Sequence, residues 1–242
     1  MIGVCDAAAL GLLGGGLALD RTAFFQTMAS RPLVGSTVAG FWLGEPAVGL
    51  LAGLLLELLW LLDLPVGASV PPDESLAGVL AAAFAVSVPA SWSSEARAAL
   101  GVFAAIPFGL LGRRLDLWVR RRNGELLLRL KAAAARGDAL RLGRLQLVGA
   151  LRFFSAGALA TVVGALAGTA AIEQLVSRLP PGSPRVFELA EAALPLVGAA
   201  AFLAGLRSAR SAAMFGVGLL AGTGVNYLRG LFHFELGRPW HR

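Results

Sequence analysis

Glu57 and Asp73 are the two positions in this chain where residue type and surroundings ask for chemistry. Glu57 lies in LLLELLWLLDLP (residues 54–65), apolar on both sides apart from Asp63, and Asp73 follows Pro71-Pro72 in SVPPDES. A charged side chain at the centre of a bilayer costs at least about 2.5–3.5 kcal/mol on insertion scales, so such a residue is a candidate for function by default. An ionised carboxylate is an acceptor only and takes two hydroxyl hydrogen bonds at once. That geometry suits the adjacent hydroxyls of a neutral polyol such as a sugar. Trp60, one helical turn from Glu57, could supply a flat apolar face. The prolines before Asp73 interrupt helix and free backbone groups for a ligand. The competing reading pairs each acid with an arginine or a helix N-terminus. It suits Glu74 best, with Asp73-Glu74 capping the helix from Ser75, stands level with the functional reading at Asp63, and suits Glu57 least.

Other chemistries find little support. There is one cysteine, Cys5, and the two histidines, His233 and His241, stand near the C-terminus. No disulfide framework or cysteine-based metal site is expected, and no cofactor. With no mid-chain histidine, acid–base catalysis near neutral pH lacks its usual agent. The run GLLGGGLAL (residues 11–19) has neither a preceding strand nor a Lys-Ser/Thr partner, so it reads as helix packing and not as a nucleotide loop. Gly222-Thr223-Gly224 and Asn226 read as core.

The elements that must position the acids are membrane helices. Of 242 residues, 57% are hydrophobic and 15% charged, with mean hydropathy +0.72, against about 45–50% and about 25% in soluble domains. Eleven of the 21 Lys/Arg fall between Arg113 and Arg152, with only three acids among them. A basic block between apolar halves is a cytoplasmic segment under the positive-inside rule, and nucleic-acid binding is not expected. Apolar runs at 4–19, 33–43, 47–62, 75–91, 97–112, 145–172, 188–206 and 211–232 predict an all-α, polytopic membrane protein. The first run is expected to be a membrane segment and not a cleaved leader. Several runs fall short of the roughly 20 residues of a full span. The pair 33–43 and 47–62, joined by Gly44-Glu45-Pro46, predicts a re-entrant hairpin or a broken helix.

Three regions follow: an N-terminal membrane core over 1–112 with the acidic motif, a basic amphipathic segment over 113–144, and a C-terminal membrane domain over 145–242. The basic segment predicts two amphipathic helices at the inner surface, broken at Gly137-Asp138. The spacings Gly49/Gly53, Gly164/Gly168 and Gly218/Gly222 predict close helix contacts. Orientation beyond Arg207 and Arg210 stays open.

From Leu19 to Asp73 the chain resembles the IIC membrane component of the mannose family of sugar phosphotransferase systems. The resemblance rests on LDR (Leu19-Asp20-Arg21), Gln26 with the following Ser30-Arg31-Pro32, LGEP with Gly49, Leu56-Glu57, and VGASVPPD ending at Asp73. ARGDALRLGRLQLVGALRFF and LPLVGAAAFLAGL extend it more weakly. The resemblance implies an all-helical hetero-oligomer with a IID membrane component in the bacterial inner membrane. It implies that a hexose is carried across and phosphorylated by cytoplasmic IIA and IIB phosphocarriers, with no phosphorylated residue on this chain. It also implies sugar contacts from Gln26, Glu57 and Asp73, with Asp20 a weaker candidate, and assigns Arg31-Pro32 to the start of the hairpin. The alternatives are an ion-coupled transporter, since a buried Glu can relay protons, and a regulatory or scaffold protein whose acids are structural.

Overall fold

Prolines, serines and aspartates mark where the helices of this protein begin. A computed structural model describes residues 2–24, 26–61, 69–205, 210, 213–218, 220–221 and 224. Among the described residues eight helices run in order: α1 Val4–Thr22, α2 Pro32–Trp42, α3 Pro46–Leu59, α4 Glu74–Ser87, α5 Ser94–Gly124, α6 Leu126–Ala135, α7 Ala139–Arg178 and α8 Ser183–Gly205. No strand occurs among the described residues. Pro32 and Pro46 each open a helix, where the missing N–H costs nothing and the fixed φ is already helical. Asp73, Ser93 and Asp138 cap α4, α5 and α7 by accepting from Leu76, Ala96 and Arg141 N–H. Asp63, His233, His241, Arg207, Asn226 and the Gly222-Thr223 pair lie outside the described residues, so the readings given to them have no structural counterpart.

Chain contacts divide the protein into two compact units, Met1–Gly198 and Ala199–Arg242. In the second, Phe202 and Phe215 pack with ring centroids 5.1 Å apart. The first holds the core and the candidate site.

At 1.5 Å per residue, α2, α3 and α4 are about 16, 21 and 21 Å long, whereas α5 and α7 reach about 46 and 60 Å. Only the stretches Ser94–Ala135 and Ala139–Arg178 are, among the described residues, long and apolar enough to cross a membrane by themselves. The short helices must therefore be sheltered by protein, as backbone ends in hydrocarbon are otherwise unsatisfied. α4 meets this demand completely: every residue from Glu74 to Ala85 is buried. Its run of alanines lets α5 and α7 pack close around it. Gly101 faces the Ala81 carbonyl and Ala85 on one side, while Gly164 and Gly168 receive Leu80 and Phe84 on the other.

α2 and α3 form a hairpin, one of the two arrangements the sequence allowed, antiparallel and in backbone contact. A Cβ on Gly49 would stand 2.6 Å from the Ser36 carbonyl oxygen and 2.7 Å from the Gly40 Cα. The same Ser36 donates its hydroxyl to the Gly49 carbonyl at 2.5 Å. At the hairpin tip, Glu45 receives two bonds from Arg97, at 3.0 and 3.3 Å, while Arg97 Nε donates to the Ala85 carbonyl at 3.3 Å. This fixes the tip to the start of α5.

Three details differ from the sequence expectations. α5 runs without interruption through 112–113, and α7 through 144–145, so neither regional boundary falls at a helix end. Only α6 is a separate short helix; residues 139–146 are the first two turns of α7 and not a second surface helix, because nothing between them and the apolar span interrupts hydrogen bonding. The break at Gly137-Asp138 is present, with Gly137 at φ +67°. Gly49/Gly53 and Gly164/Gly168 make tight contacts, whereas Gly218 faces open space.

Candidate functional site

Because α1 and α7 are antiparallel, as are α2 and α3, and α4 and α5, one end of the bundle gathers the close of α1, the start of α2, the close of α3, the start of α4 and the second half of α5. This end also carries the basic stretch. Here a cleft of about 660 Å³ opens, lined by Asp20, Arg21, Gln26, Ser30, Arg31, Glu74, Asp116 and Arg120 together with Met28, Leu117 and the Ser69–Pro71 segment. That volume lies within the range of about 300–1,000 Å³ typical of small-molecule sites.

Asp20 shapes the cleft's near wall. Its Oδ1 accepts from the Thr27 N–H (2.9 Å) and the Thr27 hydroxyl (2.7 Å), and its Oδ2 from the Ser30 N–H (3.0 Å). These bonds hold a turn in which Gln26 and Met28 take φ of +51° and +64°. Left-handed backbone is unfavourable for both residue types and persists only where the surroundings enforce it. The exposed Gln26 amide is thereby presented at the cleft.

Arg31 shapes the opposite wall. As N-cap of α2 it places positive charge at the positive end of a helix, an arrangement unfavourable alone. Two carboxylates offset it. Arg31 Nε donates to Glu57 Oε1 at 2.6 Å, Nη2 meets the same oxygen, and Nη1 pairs with Glu74 Oε2 at 3.0 Å. Glu57 Oε2 also accepts from the Leu33 N–H at 3.4 Å. One guanidinium thus ties together the ends of α2, α3 and α4.

A second guanidinium repeats the pattern. Arg21 pairs with Asp73 Oδ1 at 3.1 Å and with Asp116 Oδ2 at 2.7 Å, and reaches the Pro72 carbonyl at 3.4 Å. Asp116 accepts again from Arg120 Nε at 2.9 Å, and Arg120 stacks 5.9 Å above the Phe153 ring. Asp73 is pressed onto α5: its N–H donates to the Gly109 carbonyl at 2.8 Å. A Cβ on Gly112 would stand 2.5 Å from its own Cβ, so glycine is required there.

The four sequence candidates therefore take different positions. Asp20 and Gln26 line the cleft. Glu57 and Asp73 stand behind it, each holding an arginine that does line it, so the pairing that suited Glu57 least is the one observed. Of the Asp73-Glu74 pair expected at the helix start, Asp73 is the cap, while Glu74 faces the cleft and pairs with Arg31. Trp60 packs on Gly109 in the core and is not among the lining residues. Arg21, Arg31, Asp116 and Arg120 were missed as lining residues. The signal for two of them was present, since LDR and SRP each put an arginine beside a candidate. No cluster of metal-ligating residues occurs among the described residues.

Comparison with known proteins bears on this arrangement. The family profile described as "PTS system sorbose-specific iic component" matches residues 4–228. The N-acetylgalactosamine permease IIC component 1 of Escherichia coli is 27% identical over 168 residues, covering 69% of this chain and 61% of the relative. The sorbose-specific EIIC component of Klebsiella pneumoniae is 33% identical over 109 residues, 45% of this chain and 37% of the relative. The matched stretch thus spans less than two thirds of either relative's length. A solved structure described only as a membrane protein superposes with TM-score 0.71 at 21% identity, covering 97% of each chain. The cryo-EM structure of mannose transporter ManYZ bound to a microcin superposes with TM-score 0.56 at 22% identity, covering 99% of this chain and 97% of its own. Both likenesses concern the fold.

Proposed function

Since the chain belongs to the sorbose-specific IIC family of phosphotransferase-system membrane components, we propose that it binds a hexose in the cleft between α1, α2, α4 and α5 and passes it across the inner membrane. In this reading it is a multi-pass transport component, not an enzyme by itself, working with a IID component and handing the sugar to cytoplasmic phosphocarriers. The observation that carries the reading is the cleft: three arginines, three carboxylates, Gln26 and Ser30 gathered at one end of an otherwise apolar bundle.

The site residues divide by role. Gln26 offers a free donor and acceptor pair, presented by the turn that Asp20 holds. A neutral sugar can use both without disturbing a charge. Glu57 and Asp73 act through Arg31 and Arg21, whose remaining N–H groups point hydrogen-bond donors at sugar oxygens. Pairing lowers the cost of holding the charges at this depth.

Equilibrium binding of sorbose, mannose and N-acetylgalactosamine to the complex with its IID component tests this. Gln26→Ala lowers affinity for the preferred sugar about tenfold, the worth of one or two lost hydrogen bonds, with assembly unchanged. Glu57→Gln and Asp73→Asn also weaken binding. Normal uptake in all three variants overturns the site. Loss of assembly in all three favours a scaffold, and uptake that follows a proton gradient and ignores the phosphoryl donor favours an ion-coupled carrier.

A further inference from the structure

A second concavity, separate from the polar cleft, opens on the flank of the bundle between α5 and α7 and measures about 860 Å³. Its α5 wall is Leu115, Trp118 and Arg122, with the Glu125 carboxylate just beyond them; its α7 wall is Arg152, Leu159 and Val163. On each helix these residues repeat at helical spacing, and on both the arginine stands at the same end. Arg152 Nη1 donates to the Arg122 carbonyl at 2.8 Å, which sets the two side by side. From there the α7 wall runs about 16 Å toward the middle of the apolar span, ending at the exposed Leu159 and Val163. The groove is therefore graded along the membrane normal, cationic at the basic end and greasy below.

Charge is unbalanced at the cationic end. Arg152 is half-buried, and its bonds go to two neutral oxygens, the Arg122 carbonyl and Asn123 Oδ1 at 3.4 Å. Arg122 pairs with Glu125 at 3.4 Å, both side chains being more than half exposed, and such a pair has little strength. The Arg122 guanidinium also lies 5.6 Å over the Trp118 ring, and tryptophan favours the headgroup level of a bilayer.

The geometry points to a bound anionic phospholipid from the inner leaflet, its phosphate between Arg122 and Arg152 and an acyl chain along Trp118, Leu159 and Val163. A headgroup phosphate supplies acceptors that match arginine's fork, and the chain covers apolar surface on a helix that faces lipid. This inference does not depend on the sugar reading.

The test is native mass spectrometry of the full chain released from nanodiscs of phosphatidylglycerol mixed with phosphatidylcholine. Wild type retains phosphatidylglycerol selectively. Arg122→Gln and Arg152→Gln each lower the retained fraction about fivefold, the attraction one basic residue contributes near an anionic surface. Arg141→Gln, a change of equal charge outside the groove, leaves it unchanged. Leu159→Trp, which fills the groove with both arginines in place, also lowers it, and Arg152→Lys keeps part of it if Arg152→Gln fails to fold. Brominated phosphatidylglycerol quenches tryptophan fluorescence in wild type and less so in Trp118→Phe. Equal retention of the two lipids, equal loss in Arg141→Gln, displacement by inorganic phosphate alone, or a polypeptide crosslinked in the groove in place of lipid each overturns the assignment.

Discussion

Gln26 carries two burdens, a strained backbone and an unengaged amide, and they can be separated by substitution. Glycine adopts φ +51° without the penalty a side chain brings, so Gln26→Gly should leave folding stability unchanged or raise it by up to about 1 kcal/mol. Gln26→Ala keeps the strain and should not stabilise. Both lose the amide and should lose sugar binding together. Thermal unfolding and binding measured on the same preparations check this; a parallel change in both quantities would mean that the residue acts through the turn. Asp20 should be less forgiving, because its carboxylate satisfies two backbone N–H groups and a hydroxyl of that turn. At this scale sequence showed that acids in hydrocarbon must have a reason. It could not show that Glu57 and Asp73 answer to Arg31 and Arg21, which stand 26 and 52 positions away.

The helices themselves were largely legible. Runs too short to span, bounded by Gly and Pro, can be stable in a membrane only as hairpins or sheltered pieces, and α2, α3 and α4 are such pieces. Their stability rests on close backbone approach. Gly49→Ala would place its Cβ 2.6 Å from the Ser36 carbonyl, where backbone on both sides cannot yield. A cost of about 1–3 kcal/mol is expected from overpacking. Gly16→Ala, in α1 with nothing within 4 Å, should be neutral or stabilising by up to about 1 kcal/mol through helix propensity. Unfolding in mild detergent compares the two, and equal effects would contradict the hairpin packing. The basic segment was less legible. Arginines on an amphipathic stretch look alike whether the helix ends at the membrane surface or rises into it, so the continuity of α7 was not visible in composition.

For the molecule in its bilayer, the cleft, the basic segment and the lipid groove share one end, which the positive-inside rule places in the cytoplasm. The start of α1 lies at the other end, and it carries the exposed Cys5, the chain's single cysteine. In whole cells a membrane-impermeant maleimide should therefore label Cys5 from outside. In a Cys5→Ser background, Arg129→Cys should be labelled only after permeabilisation. Reversal of both results would put the cleft on the outer face and remove its route to a cytoplasmic phosphoryl donor.

Composition, the placement of Gly and Pro, and the concentration of arginine together determined that lipid is the solvent, roughly where the short helices lie and which of them cannot cross alone, and the motifs between Leu19 and Asp73 carried the family resemblance. What only tertiary structure decided is which polar groups face one another. In a soluble helix the apolar stripe reveals the inward face; in a helix surrounded by hydrocarbon both faces are apolar, and that stripe disappears. Rotation of each helix, and with it the choice between a carboxylate that meets a ligand and one that meets an arginine, is then set by close packing at glycines such as Gly49 and Gly112.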